Sequence, residues 1–204
     1  MTANTAGAAA PKRNLDWRVV DIVVASVLGV ACGFVFLGWN AVGYAWYEAM
    51  DALTPGLGGL ATGIWLLGGV LGGLVIRKPG AAVYVEVLAA TVSAVLGSQW
   101  GISTLYSGLA QGIGVEIILA IFMYRQFNLG VTILAGMAAG WGAFVLELFT
   151  SGNLAKSFEF NMIYLVTLTI SGAILAGALG FYVVKALAKT GALDRFAVGR
   201  EQRA

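Results

Sequence analysis

Six long apolar runs organise the chain, each separated from the next by a short polar or glycine-proline stretch. They cover residues 22–39, 56–76, 81–100, 102–124, 129–150 and 162–184. A helix needs about 20 apolar residues to cross the hydrocarbon core of a bilayer, and each run is near or above that length. The runs are continuous rather than alternating, which excludes barrel strands. Arg77-Lys78-Pro79-Gly80 ends one helix and starts the next, because proline and glycine break the helical pattern. The first run is too long for a signal peptide and lacks small cleavage-site residues near Asn40. The pattern predicts an all-α integral membrane protein, a six-transmembrane-helix bundle over residues 17–185, with tails at 1–16 and 186–204.

The basic residues orient the bundle. Lys12, Arg13 and Arg18 precede the first run, Arg77 and Lys78 follow the second, and Arg125 follows the fourth. Lys185, Lys189, Arg195, Arg200 and Arg203 follow the sixth. These eleven of the twelve basic residues share one side, and only Lys156 falls on the other. The positive-inside rule then predicts cytoplasmic N- and C-termini. Trp39, Tyr44, Trp46, Tyr47, Glu48 and Asp51 read as an external aromatic and acidic connection before the second helix.

Composition narrows the chemistry. The chain is 59% hydrophobic and 11% charged, with mean hydropathy +0.87, about half the charge of a soluble domain. Histidine is absent and Cys32 is the single cysteine. His-based metal sites and acid–base chemistry are thereby excluded, as is an intramolecular disulfide. The slight basic excess reports topology and gives no evidence for nucleic acid.

Intramembrane polar groups mark where function is to be sought. A carboxylate at the bilayer centre costs roughly 2.5–3.5 kcal/mol on insertion scales, so it faces protein or a cavity. Glu86 lies in the third run, Glu116 in the fourth and Glu147 in the fifth, with no Lys or Arg inside any run. Glu116 shares a helical stripe with Gly108 and Gly112, and Glu147 shares one with Gly136, Gly140 and Ala143. Glu116 therefore reads as the central acid with glycine-lined space above it, one and a half turns from Gln111. Trp39, Trp65, Trp100, Tyr106 and Tyr164 fall in the outer half or near mid-depth. Aromatic faces with a carboxylate suit an organic cation. Small residues at spacing four, including Ala25, Gly29 and Gly33, let helices approach closely.

The segment Ile76-Arg77-Lys78-Pro79-Gly80-Ala81-Ala82 with Glu86, then Gly97-Ser98-Gln99-Trp100-Gly101, then Gln111-Gly112 and Glu116, resembles the YkoE-type substrate-capture (S) components of energy-coupling factor (ECF) transporters. The resemblance covers about residues 16–185. It implies a multi-pass protein of a bacterial inner or plasma membrane that binds thiamin or its hydroxymethylpyrimidine moiety, without a cofactor of its own. It also implies a transmembrane coupling (T) subunit and two ATP-binding cassette subunits as partners. On this reading the Ala25-Gly29-Gly33 face docks a partner, and Glu116, Glu147, Glu86, Gln111, Trp39, Trp65, Trp100, Tyr106 and Tyr164 are the candidate ligand contacts. Cobalt and nickel S components are disfavoured by the lack of histidine. No Gly-x-x-x-x-Gly-Lys-Ser/Thr sequence is present, so ATP hydrolysis is expected in partner subunits. The competing readings are a free-standing carrier or channel, an S component for another vitamin, and an intramembrane enzyme built on a Glu116–Glu147 pair.

Overall fold

A computed structural model describes residues 14–203, and among them there is no strand. The sequence-predicted Lys12 and Arg13 lie outside the described residues. Helix α1 spans Val19–Leu53, a 3₁₀ segment Leu57–Leu66 runs into α2 (Leu67–Ile76), and α3 spans Ala81–Val95. Then follow α4 (Ser103–Ile121), α5 (Leu129–Thr150) and α6 (Phe158–Ser171). A π-helical turn at Gly172–Ala178 joins α6 to α7 (Leu179–Lys189), and α8 (Ala197–Glu201) closes the chain. Five of these helical segments are long and apolar enough to cross a membrane, and α3 is a sixth, shorter apolar helix.

Two boundaries differ from the sequence pattern. Helix α1 does not end near Trp39 but runs on to Leu53, 35 residues in all, about 52 Å at 1.5 Å per residue. The stretch read as an external connection is thus helical, and Pro55 follows its true end. Asn40, Tyr44 and Tyr47 lie on one face turned to the rest of the protein, whereas Glu48 is exposed. In the opposite direction, α3 stops at Val95 rather than Trp100, where Gly97 and Gly101 adopt positive φ values of 107° and 53°.

The helices alternate in direction, so residues before α1, between α2 and α3, between α4 and α5, and after α7 gather at a basic end. The opposite, aromatic end carries the C-terminal third of α1 and the α3–α4 and α5–α6 connections. The basic end is fastened by ion pairs. Asp21, 0% exposed, accepts from Arg18 Nη2 at 2.7 Å and Lys78 Nζ at 2.6 Å, and the Trp17 indole donates to the Pro79 carbonyl at 3.0 Å. The i,i+3 Arg18–Asp21 pair is therefore extended to the α2–α3 turn. Arg77 caps α2 in the left-handed region (φ 56°), donates to Leu74 O at 3.1 Å and grips Glu201 at 2.5 and 2.8 Å. The Arg-Lys-Pro-Gly segment is thus a structural joint between α1, the α2–α3 turn and α8.

Close backbone approach dominates the interior, as expected where helices associate without a hydrophobic driving force. The stripe assigned to partner docking is one such case and requires correction. Ala25 is fully buried, and a Cβ on Gly29 or Gly33 would come within 2.8 Å of Leu88 or 2.6 Å of Val92. The Ala25-Gly29-Gly33 stripe packs on α3, whereas the exposed small residues of α1 are Ala31, Gly38, Ala41, Ala45 and Ala49. The 3₁₀ segment lies equally close to α6. It is held by Ser171 Oγ, which donates to Leu60 O at 2.7 Å and accepts from Gly63 N at 2.8 Å, and by Thr167 Oγ1, which donates to Gly56 O at 2.8 Å. These bonds set Thr62 and Trp65 against the central space.

Candidate ligand cavity

A cavity of about 430 Å³ opens towards the aromatic end, within the 300–1,000 Å³ range of small-molecule sites. Helix α1 contributes Phe36, Asn40, Tyr44 and Tyr47 at positions i, i+4, i+8 and i+11, one face of a continuous helix. The 3₁₀ segment adds Thr62 and Trp65, and α3 adds Glu86, Ala90 and Ser93. Trp100, Tyr106 and Gln111 enter from the α3–α4 connection and α4, Glu147 from α5, Lys156 from the α5–α6 connection and Tyr164 from α6.

Depth follows from helix register at 1.5 Å per residue. Glu147 is three residues from the aromatic-end terminus of α5, or about 4.5 Å along it. Gln111 lies eight residues into α4 and Glu86 nine residues from the end of α3, so both are about 12–14 Å deep. Glu86 is 1% exposed, and its Oε2 accepts from the Gly69 amide. A Cβ on Gly68 would lie 3.0 Å from that same oxygen, so the glycine pair makes room for the carboxylate. With its amide nitrogen turned towards acceptors, Gln111 donates to Glu86 Oε1 at 3.2 Å and Trp65 O at 3.1 Å. Nearer the opening, Glu147 Oε2 accepts from the Tyr164 hydroxyl at 2.6 Å.

Aromatic rings form a connected wall between these acids. Trp65 meets Trp100 edge to face at 5.4 Å, and Trp100 meets Tyr44 likewise at 5.4 Å. Tyr44 stacks on Tyr47 at 6.1 Å, and Tyr47 meets Tyr164 at 6.4 Å. Trp65 is fixed by donating to Asn40 Oδ1 at 2.8 Å, and the Asn40 amide donates to Ser93 Oγ at 3.2 Å. Trp39 is not a lining residue. It donates to Ala61 O at 2.9 Å and supports Trp65 edge to face at 6.5 Å.

Of the nine sequence-selected candidates the cavity therefore gathers Glu86, Glu147, Gln111, Trp65, Trp100, Tyr106 and Tyr164, while Trp39 stands outside its lining. Glu116 is the substantive correction. It lies thirteen residues into α4, about 20 Å from the aromatic end. Its carboxylate accepts from the Ala82 amide at 2.7 Å and the Tyr124 hydroxyl at 2.6 Å. It thereby caps the first turn of α3, where the helix has amides without intrahelical partners. The glycines thought to open space above it are packing sites: a Cβ on Gly108 would meet Ala90 at 2.7 Å and one on Gly112 would meet Val83 at 2.7 Å. Sequence reasoning missed Asn40, Tyr44, Tyr47, Thr62, Ser93 and Lys156. The four-residue spacing of Phe36, Asn40 and Tyr44 was the available signal, visible once α1 is continued to Pro55.

Comparison with known proteins follows this geometry. A solved structure titled crystal structure of an S-component of ECF transporter matches with a TM-score of 0.78 and 33% identity, covering 92% of this chain and 94% of that one. The fold is thus that of a transporter substrate-capture subunit. In sequence, the chain is 36% identical over 190 residues to the Bacillus subtilis (strain 168) putative HMP/thiamine permease protein YkoE, covering 91% of this chain and 92% of the relative. Residues 20–142 match the family described as ABC-type cobalt transport system, permease component. The chain belongs to this permease family, among the YkoE-type S components of ECF transporters. It is accordingly a multi-pass cell-membrane protein. The family description names cobalt, but among the described residues no three His, Cys, Asp or Glu side chains group as a metal site.

Proposed function

We propose that this chain captures thiamin or its hydroxymethylpyrimidine moiety in the aromatic cavity and hands it to partner subunits for import. The observation that carries the reading is a cavity with two carboxylates, Glu86 and Glu147, joined by a wall of indole and phenol rings. A thiazolium is a permanent cation, attracted by ring faces and by a partly desolvated carboxylate. An aminopyrimidine offers a donor and an acceptor side by side. At the cavity's deep end the buried Glu86 carboxylate, held by the Gly69 and Gln111 amides, supplies the acceptor for the amino group. The likeness to the relative named as a putative HMP/thiamine permease supports the same assignment.

The basic end faces the cytoplasm on this reading, by the positive-inside rule, so the cavity opens outward. A coupling T subunit and two ATP-binding cassette subunits supply motion and ATP hydrolysis, and this chain performs no catalysis. Glu86, Gln111, Trp65, Trp100, Glu147 and Tyr164 hold the ligand, and Trp39 orients Trp65. Trp65 and Trp100 make the test direct. The detergent-purified chain is titrated with thiamin, hydroxymethylpyrimidine, riboflavin and biotin while tryptophan emission is followed. Saturable quenching by the first two alone is expected. Saturation by riboflavin or biotin in their place overturns the assignment.

A further inference from the structure

Charge is unevenly placed along the cavity. Both acids lie below the opening, whereas Lys156 lines it at the aromatic end and is its one basic lining residue among those described. This lysine is positioned rather than free. Its Nζ lies 4.0 Å from the centroid of the Phe160 ring, and Phe160 is 7% exposed and stacked on Tyr164 at 5.8 Å. A cation over an aromatic face is held electrostatically by the ring quadrupole. The residue that follows it, Ser157, caps α6 by accepting from Phe160 N at 3.1 Å. The N-terminal end of a fourteen-residue helix, which carries a partial positive charge, therefore adjoins the ammonium. Thr150, Ser151 and Asn153 line the same rim, so the positive charge, within Coulombic reach of Glu147 on its inner side, has hydroxyl and amide groups around it, a setting suited to an anionic oxygen group.

Resting on the proposed ligand, we infer that Lys156 discriminates ligands by charge at the rim and favours one whose outward end carries a phosphomonoester. With the aminopyrimidine at Glu86 and Gln111 and the thiazolium beside Glu147, the hydroxyethyl arm of thiamin points towards Lys156. A free hydroxyl there leaves the lysine repelling the bound cation. A phosphate on that hydroxyl converts the repulsion into attraction.

Calorimetric titration of the intact chain with thiamin and with thiamin monophosphate tests this, using the parent protein, Lys156→Met and Lys156→Arg. Lys156→Met weakens monophosphate binding and tightens thiamin binding, each by roughly two- to fivefold, the range for an exposed charge pair. Lys156→Arg keeps the parent preference, and added salt shrinks the difference between parent and Lys156→Met. Equal shifts for both ligands, or no shift in either, overturn the inference while leaving thiamin capture intact. A parent protein that binds neither ligand overturns the functional reading itself, and the rim assignment with it.

Discussion

Replacing Glu147 by glutamine separates its charge from its shape. The new side-chain carbonyl still accepts from the Tyr164 hydroxyl, now at 2.6 Å from Oε2, so the ring wall built on Tyr164 and Phe160 is retained. What disappears is the attraction for a bound cation. At about 5 Å and an effective dielectric constant of about 20, Coulomb's law gives about 3 kcal/mol. Loss of a charge-assisted contact costs about 1.5–3 kcal/mol. Glu147 is only half-buried, so solvent screening favours the lower part of that range, roughly a tenfold loss of thiamin affinity. Neutral hydroxymethylpyrimidine loses less. Glu116→Gln is the counterpart, since Glu116 bonds Ala82 and Tyr124 away from the cavity. It leaves both affinities unchanged and lowers thermal stability modestly, because the charge-assisted bonds to the Ala82 amide and the Tyr124 hydroxyl become neutral ones. Titration of both variants with both ligands decides the matter. Unchanged thiamin affinity in Glu147→Gln with a loss in Glu116→Gln refutes the placement of the site.

Other substitutions probe the fold. Asp21→Asn leaves the largely buried Lys78 ammonium without its counter-charge. Breaking such a pair costs about 3–5 kcal/mol when fully buried, and the exposure of Arg18 and the rim of Lys78 brings the expected loss to about 2 kcal/mol or more, read as a lower melting temperature in detergent. Gly33→Leu drives a side chain into Val92 and Ala89, so folded yield and ligand binding fall together; normal binding with failed subunit assembly would instead restore an outward docking face. A cysteine at the exposed Leu154 is expected to react with an impermeant reagent from outside intact cells, and labelling only after lysis reverses the orientation.

The membrane class, the spans and the clustering of basic residues were legible because they depend on local composition. Length per span was less so. The polar residues Asn40, Glu48 and Asp51 made the end of α1 look like a loop, although no strong breaker precedes Pro55. Glu116 misled for a different reason. Its depth was counted along an apolar run, and its partner is an amide on another helix, a tertiary contact that spacing does not encode. The Ala25-Gly29-Gly33 stripe reads identically whether its neighbour is a partner protein or α3. Only the position of Leu88 and Val92 decides between them. Lys156 was noticed as the topological exception, and its place on the cavity rim depends on the fold of the α5–α6 connection.

The most direct test of the account is equilibrium dialysis of labelled thiamin against the purified chain, alone and without nucleotide. One thiamin per chain, saturably bound and recovered chemically unchanged, is the predicted result. Absence of saturable binding, or recovery of a converted product, would contradict capture by this subunit.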